Sequence, residues 1–345
     1  MNTTIIIDEN IPFIQGVFEP VANVVYRRGA EIDRNMLLGT GAEVLIVRTR
    51  TRCNEALLSG TKVRFIATAT IGIDHIDTDY CARAGIAWSN APGCNARSVA
   101  QYVGSAMALY AHEEGVELSD FTLGIVGHGH VGVEVEKLAK KIGMEALLCD
   151  PFKAEIPTPG KNYITLEQLA SQSDIITIHT PLTNDGPHPT ANLINARIFG
   201  LMPRRPLIIN AARGGIVDEW ALLSALQNNT VAHAVVDCWE NEPHINRQLL
   251  DRALIATPHI AGYSADGKHH ATGQVTDAVA GHLKTTPAPI APLDPCRHVS
   301  ADSRLPFALL ANYPIYRDSD ALKTAPTQFE YLRNHYPIRR ELDID

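Results

Sequence analysis

The sequence predicts an α/β protein built from two parallel-sheet lobes. Its apolar runs are four or five residues long, short enough for strands buried on both faces. Helical patterns alternate with those runs, as parallel strands joined by crossovers require. A glycine-rich turn, Gly127-x-Gly129-x-x-Gly132, opens a second such series, so one lobe precedes it and another follows.

Taken in order, the strands of the first lobe are Thr4–Asp8, 42–47 and 65–70, followed by a turn at Ala91-Pro-Gly-Cys-Asn95. A long helix is expected from Ala96 to His112, built on Val99, Val103, Met107, Leu109 and Tyr110. The strand Thr122-Leu-Gly-Ile-Val126 then runs into the glycine turn, and a helix continues through Val133, Val135, Leu138 and Ala139. The run Ala146-Leu-Leu-Cys149 ends on Asp150, and further strands are expected at 175–178, 207–210, 234–237 and 254–256. A helix from Gly267 to Leu283 could cross back to the first lobe. Pro287, Pro289, Pro292 and Pro295 then mark a linker. The expected division is 1–92 plus 264–284, 93–263, and a C-terminal segment 285–345. That last segment has weak periodicity and too few residues for a large core of its own, and is expected to dock on a partner subunit.

The chain has 345 residues, 45% apolar and 20% charged, a composition ordinary for a globular protein. A net charge of −8 argues against a nucleic-acid binder. No apolar run approaches the roughly 20 residues of a membrane span, so no membrane partner is expected. The six cysteines form no CxxC pair and no signal-peptide pattern stands at the N-terminus, so reduced thiols and a cytoplasmic location are expected.

The glycine turn carries the first chemical reading. Gly127 permits the tight turn, Gly129 lets backbone approach a pyrophosphate, and Gly132 lets helix pack on strand. The pyrophosphate would sit on unpaired N–H groups at the positive helix end. Asp150 would accept hydrogen bonds from the adenosine ribose and repel a 2′-phosphate, so NAD is expected rather than NADP.

Three polar residues stand at ends of predicted strands in the second lobe: Arg213, Glu242 and His259. Ligands of open α/β sheets bind at carboxyl ends of strands, so the three point at one crevice, expected in a cleft between the lobes. They suit the oxidation of a hydroxy acid. His259 could take the hydroxyl proton as hydride leaves carbon, and Glu242 could orient the ring. Arg213 offers a planar fork to a carboxylate and to the oxygen becoming a ketone.

These residues, with His179-Thr-Pro-Leu182, Asn210-Ala-x-Arg-Gly214, Glu242-Pro243 and Pro258-His-Ile-Ala261, make the chain resemble the D-isomer-specific 2-hydroxyacid dehydrogenases. A narrower likeness lies in 47–55, 67–75, 91–95, 259–268 and the segment around Tyr316-Arg317-Asp318 and 329–340. It is to the branch that oxidises 4-phospho-D-erythronate on the way to pyridoxal 5′-phosphate. The resemblance implies a flavodoxin-like substrate lobe, an NAD-binding Rossmann lobe and a small C-terminal α+β dimerisation domain. It implies catalysis by Arg213, Glu242 and His259. It implies NAD contacts at the loop Gly127, Gly129, His130, Val131 and Gly132, and at Asp150, Thr180, Ala211, Ala212, Asp237 and Gly262. It implies substrate contacts at Thr49, Thr70 and Tyr263. His128 and His130 depart from the usual glycine loop, and both are expected to point outward. The C-terminal domain is also shorter than the family norm, which puts the homodimer interface in doubt.

The phosphate end can be argued from the residues themselves. Arg48, Arg50 and Arg52 alternate, so an extended segment would place all three on one face, with Arg48 or Arg52 expected to hold a substrate phosphate. The pairs His128/His130 and His269/His270 lack metal-ligand spacing, and no metal is expected. Two other readings stay open: a related dehydrogenase acting on 3-phosphoglycerate or hydroxypyruvate/glyoxylate, and an NAD(H)-sensing binding protein without turnover.

Overall fold

The computed structural model describes residues 3–156, 159–302 and 304–344. The chain divides into two compact units, Met1–Asn95 with Ser264–Pro295, and Ala96–Tyr263 with Cys296–Asp345.

The first unit holds five parallel strands: β1 Thr4–Asp8, β2 Asn23–Arg27, β3 Val44–Val47, β4 Phe65–Thr68 and β5 Ala87–Ser89, ordered β2-β1-β3-β4-β5. Alternate residues of the central strands serve opposite faces, as the strand period demands. Ile5, Ile7 and Ile46 pack with Val275 and Val279 of the helix Ala265–Leu283, while Ile6, Leu45 and Ile66 pack with Leu37, Leu57 and Cys81. β2 and β5 have no counterpart among the expected strands because they are edge strands. One side of each is open, so neither shows the unbroken apolar run of a central strand. The proline-marked linker does not leave this unit; it runs back along it, with Ala288 N donating to Val17 O at 2.9 Å.

The second unit holds six parallel strands, β6 Thr122–Val126, β7 Glu145–Cys149, β8 Ile175–Ile178, β9 Leu207–Asn210, β10 His233–Val236 and β11 Ile255–Ala256. Their order is β11-β10-β9-β8-β6-β7, so the winding reverses at β6, between β7 and β8. Leu123 and Ile125 face the helices Ala96–Glu114 and His130–Ile142, while Ile176, Ile178, Ile208 and Val236 pack with Ile198, Leu222 and Leu249.

Residues 296–344 belong to this second unit, and the sequence did not reveal how. They form the helices Leu305–Asn312, Ile315–Thr324 and Phe329–Asn334, and a parallel pair of β12 Arg297–Val299 with β13 Leu342–Ile344. Many of their apolar residues are used against their own chain. Leu305 and Leu309 meet Leu138, Tyr313 and Ile315 join one face of the sheet core, and Leu322 and Phe329 join the other. Gln101 seals the junction by bonding both the carbonyl and the amide of Leu342, at 2.7 and 2.9 Å. Among the described residues no helix is long and apolar enough to cross a membrane.

Candidate active site

The glycine loop stands at the reversal of strand order, where open α/β sheets bind ligands. A Cβ on Gly132 would lie 2.2 Å from the Gly127 carbonyl oxygen, so only glycine lets this helix approach β6 so closely. Gly129 is different. It is the N-cap of the helix His130–Ile142, no side chain caps that helix, and a Cβ there would meet open space. Bare N–H groups facing open space are what a pyrophosphate needs. Across the reversal, beyond β8, Thr180 Oγ1 is buried with no hydrogen-bond partner among the described residues. An orphaned polar atom of that kind fits a ligand-facing wall. The residues present therefore fit a bound dinucleotide.

His128 does not point outward as expected; it is 2% exposed, while His130 is exposed. The His128 ring spans Tyr163 Oη at 2.9 Å and Glu136 Oε2 at 3.0 Å. Glu136 is itself buried against Lys140 and Lys161, and although burial pushes its carboxyl up, those partners hold it down to about 2. Burial keeps the His128 imidazole below its usual pKa. The side chain is thus a buried strut fixing the loop. Asp150 stands at the end of β7, where its carboxylate accepts from the amides of His128 at 2.9 Å and Lys153 at 3.2 Å. Those two bonds use half of its acceptor sites and leave lone pairs for ribose hydroxyls.

Further along the same sheet, Asn210 ends β9 and pins the next turn. Its Nδ2 donates to Arg213 O at 3.1 Å and Cys238 O at 3.3 Å, and its Oδ1 accepts from Ala212 N at 3.2 Å. Gly214 passes so close to Trp239 that a Cβ would fall 1.9 Å from the Trp239 carbonyl. That contact sets Arg213 beside residues 239–242. One Arg213 Nη donates to Ala212 O at 2.8 Å, and its remaining donors have no partner among the described residues.

Glu242 and His259 meet directly. His259 Nδ1 lies 2.9 Å and 3.1 Å from the two Glu242 carboxylate oxygens, and His259 Nε2 has no partner among the described residues. Burial pushes the Glu242 carboxyl up, but His259, the Trp239 amide and Arg333 together hold it below the usual range. A carboxylate on Nδ1 makes that nitrogen the N–H and leaves Nε2 as the base. His259 sits at φ 56°, in the left-handed region that a histidine seldom adopts. Arg213, Gly214, Glu242 and His259 all line one cavity of about 470 Å³. The only cluster of three possible metal ligands among the described residues is Cys238, Glu242 and His259, which contains this same bonded pair.

The resemblance implies an NAD contact at Asp237; in the structure its carboxylate is bonded within the protein. Asp237 is 1% exposed, and its carboxylate accepts from Thr257 Oγ1 at 2.6 Å, Ile260 N at 2.7 Å and Ala261 N at 3.0 Å. Asp237 is therefore the anchor of the loop that carries His259. Ala211 and Gly262, in the same unit, are half-buried.

Two further residues complete this region, and both come from the C-terminal stretch 329–340. Arg333 Nη1 lies 3.7 Å from Glu242 Oε2, and Arg333 also hydrogen-bonds Tyr263. Arg339 bonds Ile260 O at 3.3 Å and Ser98 Oγ at 3.0 Å, with its guanidinium 4.2 Å from the Tyr313 ring centre. The likeness marked the stretch 329–340 as a whole, but no local signal singled out these two arginines, because isolated arginines look like solvated charge.

The first unit carries the remaining candidates. The segment after β3 is a turn rather than an extended strand, closed by Thr51 N donating to Arg48 O at 3.2 Å. The premise of three arginines sharing one strand face therefore fails. Arg48 is half-buried with one Nη on Asn10 O at 2.6 Å; Thr49 and Arg52 are exposed. Lys268 supplies a second cation: burial and the Arg48 charge press its amine down to about 8. Two cations so close favour an anion nearby. Thr70 is half-buried, its hydroxyl bonded to Thr68 at 2.8 Å.

Residues 96–261 match the family model described as D-isomer specific 2-hydroxyacid dehydrogenase, NAD binding domain. The chain is 45% identical to erythronate-4-phosphate dehydrogenase of Bacteroides thetaiotaomicron, over 98% of this chain and 97% of that protein. It is 42% identical to the enzyme of the same name from Porphyromonas gingivalis, over 98% and 93%. Among solved structures it is similar to D-lactate dehydrogenase from Aquifex aeolicus complexed with NAD and lactic acid, at 25% identity and TM-score 0.66, covering 82% of this chain and 96% of that one. The NAD⁺-bound 3-phosphoglycerate dehydrogenase of Entamoeba histolytica is similar at 25% identity and TM-score 0.67, with coverage of 82% and 96%.

Proposed function

This chain belongs to the D-isomer-specific 2-hydroxyacid dehydrogenases, and from that premise we propose that it oxidises 4-phospho-D-erythronate at C2 to (R)-3-hydroxy-2-oxo-4-phosphooxybutanoate. NAD, held by the glycine loop, supplies the hydride acceptor. The observation that carries the chemistry is the His259–Glu242 bond, which leaves Nε2 open. His259 Nε2 takes the proton of the C2 hydroxyl as the C2 hydrogen departs with its electron pair. Glu242 fixes the tautomer and stabilises the imidazolium that forms. The open donors of Arg213 pair with the substrate carboxylate and with the oxygen that becomes the ketone. Arg48 and Lys268 supply the charge for the phosphate, with Thr49, Arg52, Thr70 and Tyr263 as further substrate contacts. The names of the full-length relatives support this substrate over an unphosphorylated one.

The reading extends to a place in vitamin B6 biosynthesis in the cytoplasm. It also extends to a homodimer formed through the C-terminal segment, whose Phe307 and Tyr331 remain 76% and 58% exposed. The test is NADH formation with 4-phospho-D-erythronate, 3-phosphoglycerate and D-glycerate side by side. The erythronate ester should be preferred; preference for phosphoglycerate would replace the substrate assignment, and binding of NADH without turnover of any of the three would favour a sensor.

A further inference from the structure

The peptide unit that joins Ile260 to Ala261 is held at its two ends by opposite charges. Its N–H, on Ala261, donates to Asp237 Oδ2 at 3.0 Å. Its carbonyl, on Ile260, accepts from Arg339 Nη1 at 3.3 Å. The neighbouring units are held the same way round. Ile260 N donates to Asp237 Oδ1 at 2.7 Å, and Ala261 O accepts from Arg339 Nη2 at 2.5 Å. A peptide flip between residues 260 and 261 would turn a carbonyl oxygen toward the carboxylate and an N–H toward the guanidinium. Two charge-assisted hydrogen bonds would become two repulsions. Arg339 therefore fixes on the carbonyl side what Asp237 fixes on the amide side.

The guanidinium is itself held in place from within the same compact unit. Its Nη2 also donates to Ser98 O at 3.2 Å and Ser98 Oγ at 3.0 Å, and its Nη1 to Tyr336 Oη at 3.3 Å. Tyr336 Oη and Tyr313 Oη both donate to Asp318 Oδ2, at 3.1 and 2.7 Å, and the Tyr313 ring centre lies 4.2 Å from the guanidinium carbon. A network of this kind orients a cation more narrowly than any one of its bonds. A lysine ammonium could reach a carbonyl here, but it has no planar fork to span two of them.

What the clamp positions is His259. That residue leads directly into the clamped peptide units and sits at φ 56°, a conformation that persists only where the surrounding chain is fixed. From that backbone its Nδ1 reaches Glu242 at 2.9 Å. We infer that Arg339 is a positioning residue for the reaction: through the carbonyls of Ile260 and Ala261 it holds His259 against Glu242. The C-terminal segment thereby works in the active site of its own chain. This role rests on the proposed use of His259 as the base and extends it to a residue near the far end of the sequence.

The test measures kcat, KM and NADH affinity as a function of pH, with whichever of 4-phospho-D-erythronate and 3-phosphoglycerate the wild type oxidises. A wrong substrate assignment thus leaves the test standing. In Arg339→Met, which keeps much of the side-chain length but no donor, turnover should fall about 10²-fold, the scale of a misplaced reacting group. KM and NADH affinity should stay close to the wild type. The acidic limb of the kcat profile should move toward neutral, because burial raises the Glu242 carboxyl and His259 is chief among the partners that hold it down. Arg339→Lys should restore part of the turnover and part of the limb. A smaller folded fraction would lower kcat without moving the limb, and urea unfolding of each variant measures that fraction. Wild-type kcat in a folded Arg339→Met overturns the inference, as does a lower kcat with the limb unmoved. Should Arg339→Met fail to fold, Arg339→Lys is read on the same two quantities, and wild-type values for both overturn it. Undiminished turnover in a folded His259→Asn would instead overturn the proposed reaction and the inference with it.

Discussion

The Asp237 carboxylate lies 2.7 Å from the backbone amide of Ile260, and that contact sets the position of His259 one residue earlier. The same carboxylate takes Ala261 N and Thr257 Oγ1, and the Asp237 carbonyl accepts from His259 N at 2.9 Å. A histidine at positive φ persists only where its surroundings over-determine it, and here four bonds to one residue do so. Burial pushes the Asp237 carboxyl above its usual pKa, the cost of placing this anchor in the core. Asp237→Ala should therefore lower stability by about 2–4 kcal/mol and lower kcat beyond what the lost stability explains. Urea unfolding beside kcat measured at a temperature where the variant is folded checks both.

His259→Asn removes the proposed base but leaves the loop. Turnover should fall by about 10²–10⁴ with NADH affinity retained, because no atom of the His259 ring takes part in the glycine loop. Equal loss of NADH binding would mean that His259 supports the fold instead.

Arg333 lies 3.7 Å from Glu242 and is one of the groups holding that carboxyl down. Removing the cation raises the Glu242 pKa. An acid is then protonated at higher pH, so the acidic limb of the kcat profile in Arg333→Ala should move toward neutral. A variant with lower kcat but an unshifted limb would make Arg333 a packing residue only.

The two glycines of the cofactor loop should behave oppositely. Gly132→Ala drives a methyl to within 2.2 Å of the Gly127 carbonyl and should destabilise the free protein. Gly129→Ala meets nothing within 4 Å, so the free protein should melt as the wild type does while NADH binding weakens about tenfold or more. Thermal melts with and without NADH separate the two effects.

His75 and His128 are both buried, and burial holds both below the usual 6.5. The unfolded chain then takes up protons that the folded chain refuses. Their contribution is present above pH 6.5 and is lost as the pH falls below it. The unfolding free energy from urea titrations between pH 6.5 and 5 should fall, by no more than about 2 kcal/mol for each histidine. His128→Gln should flatten that slope by up to one proton.

The sequence by itself determined the parallel α/β architecture and marked Arg213, Glu242 and His259 as candidates, which the structure brings to one cavity. Central strands such as 175–178 and 207–210 are buried on both faces, so their apolar runs cannot be mistaken for surface. The spacing of Gly127, Gly129 and Gly132 follows from backbone geometry at one turn, which is local and therefore legible. Arg213, Glu242 and His259 were legible because each follows a recognisable strand end. Edge strands β2 and β5 escaped notice because half their surface meets solvent and carries mixed residues. Only the tertiary structure decided what holds the site in place. The bonds of Asp237 run to residues 257–261; His128 could be read as exposed, yet Glu136 and Tyr163 enclose it. Arg333 and Arg339 reach the loops at Glu242 and Ile260 from the far end of the chain. Such partners depend on side chains brought together across long stretches of sequence, and no local pattern of charge or hydropathy encodes which distant residue a buried polar group will meet.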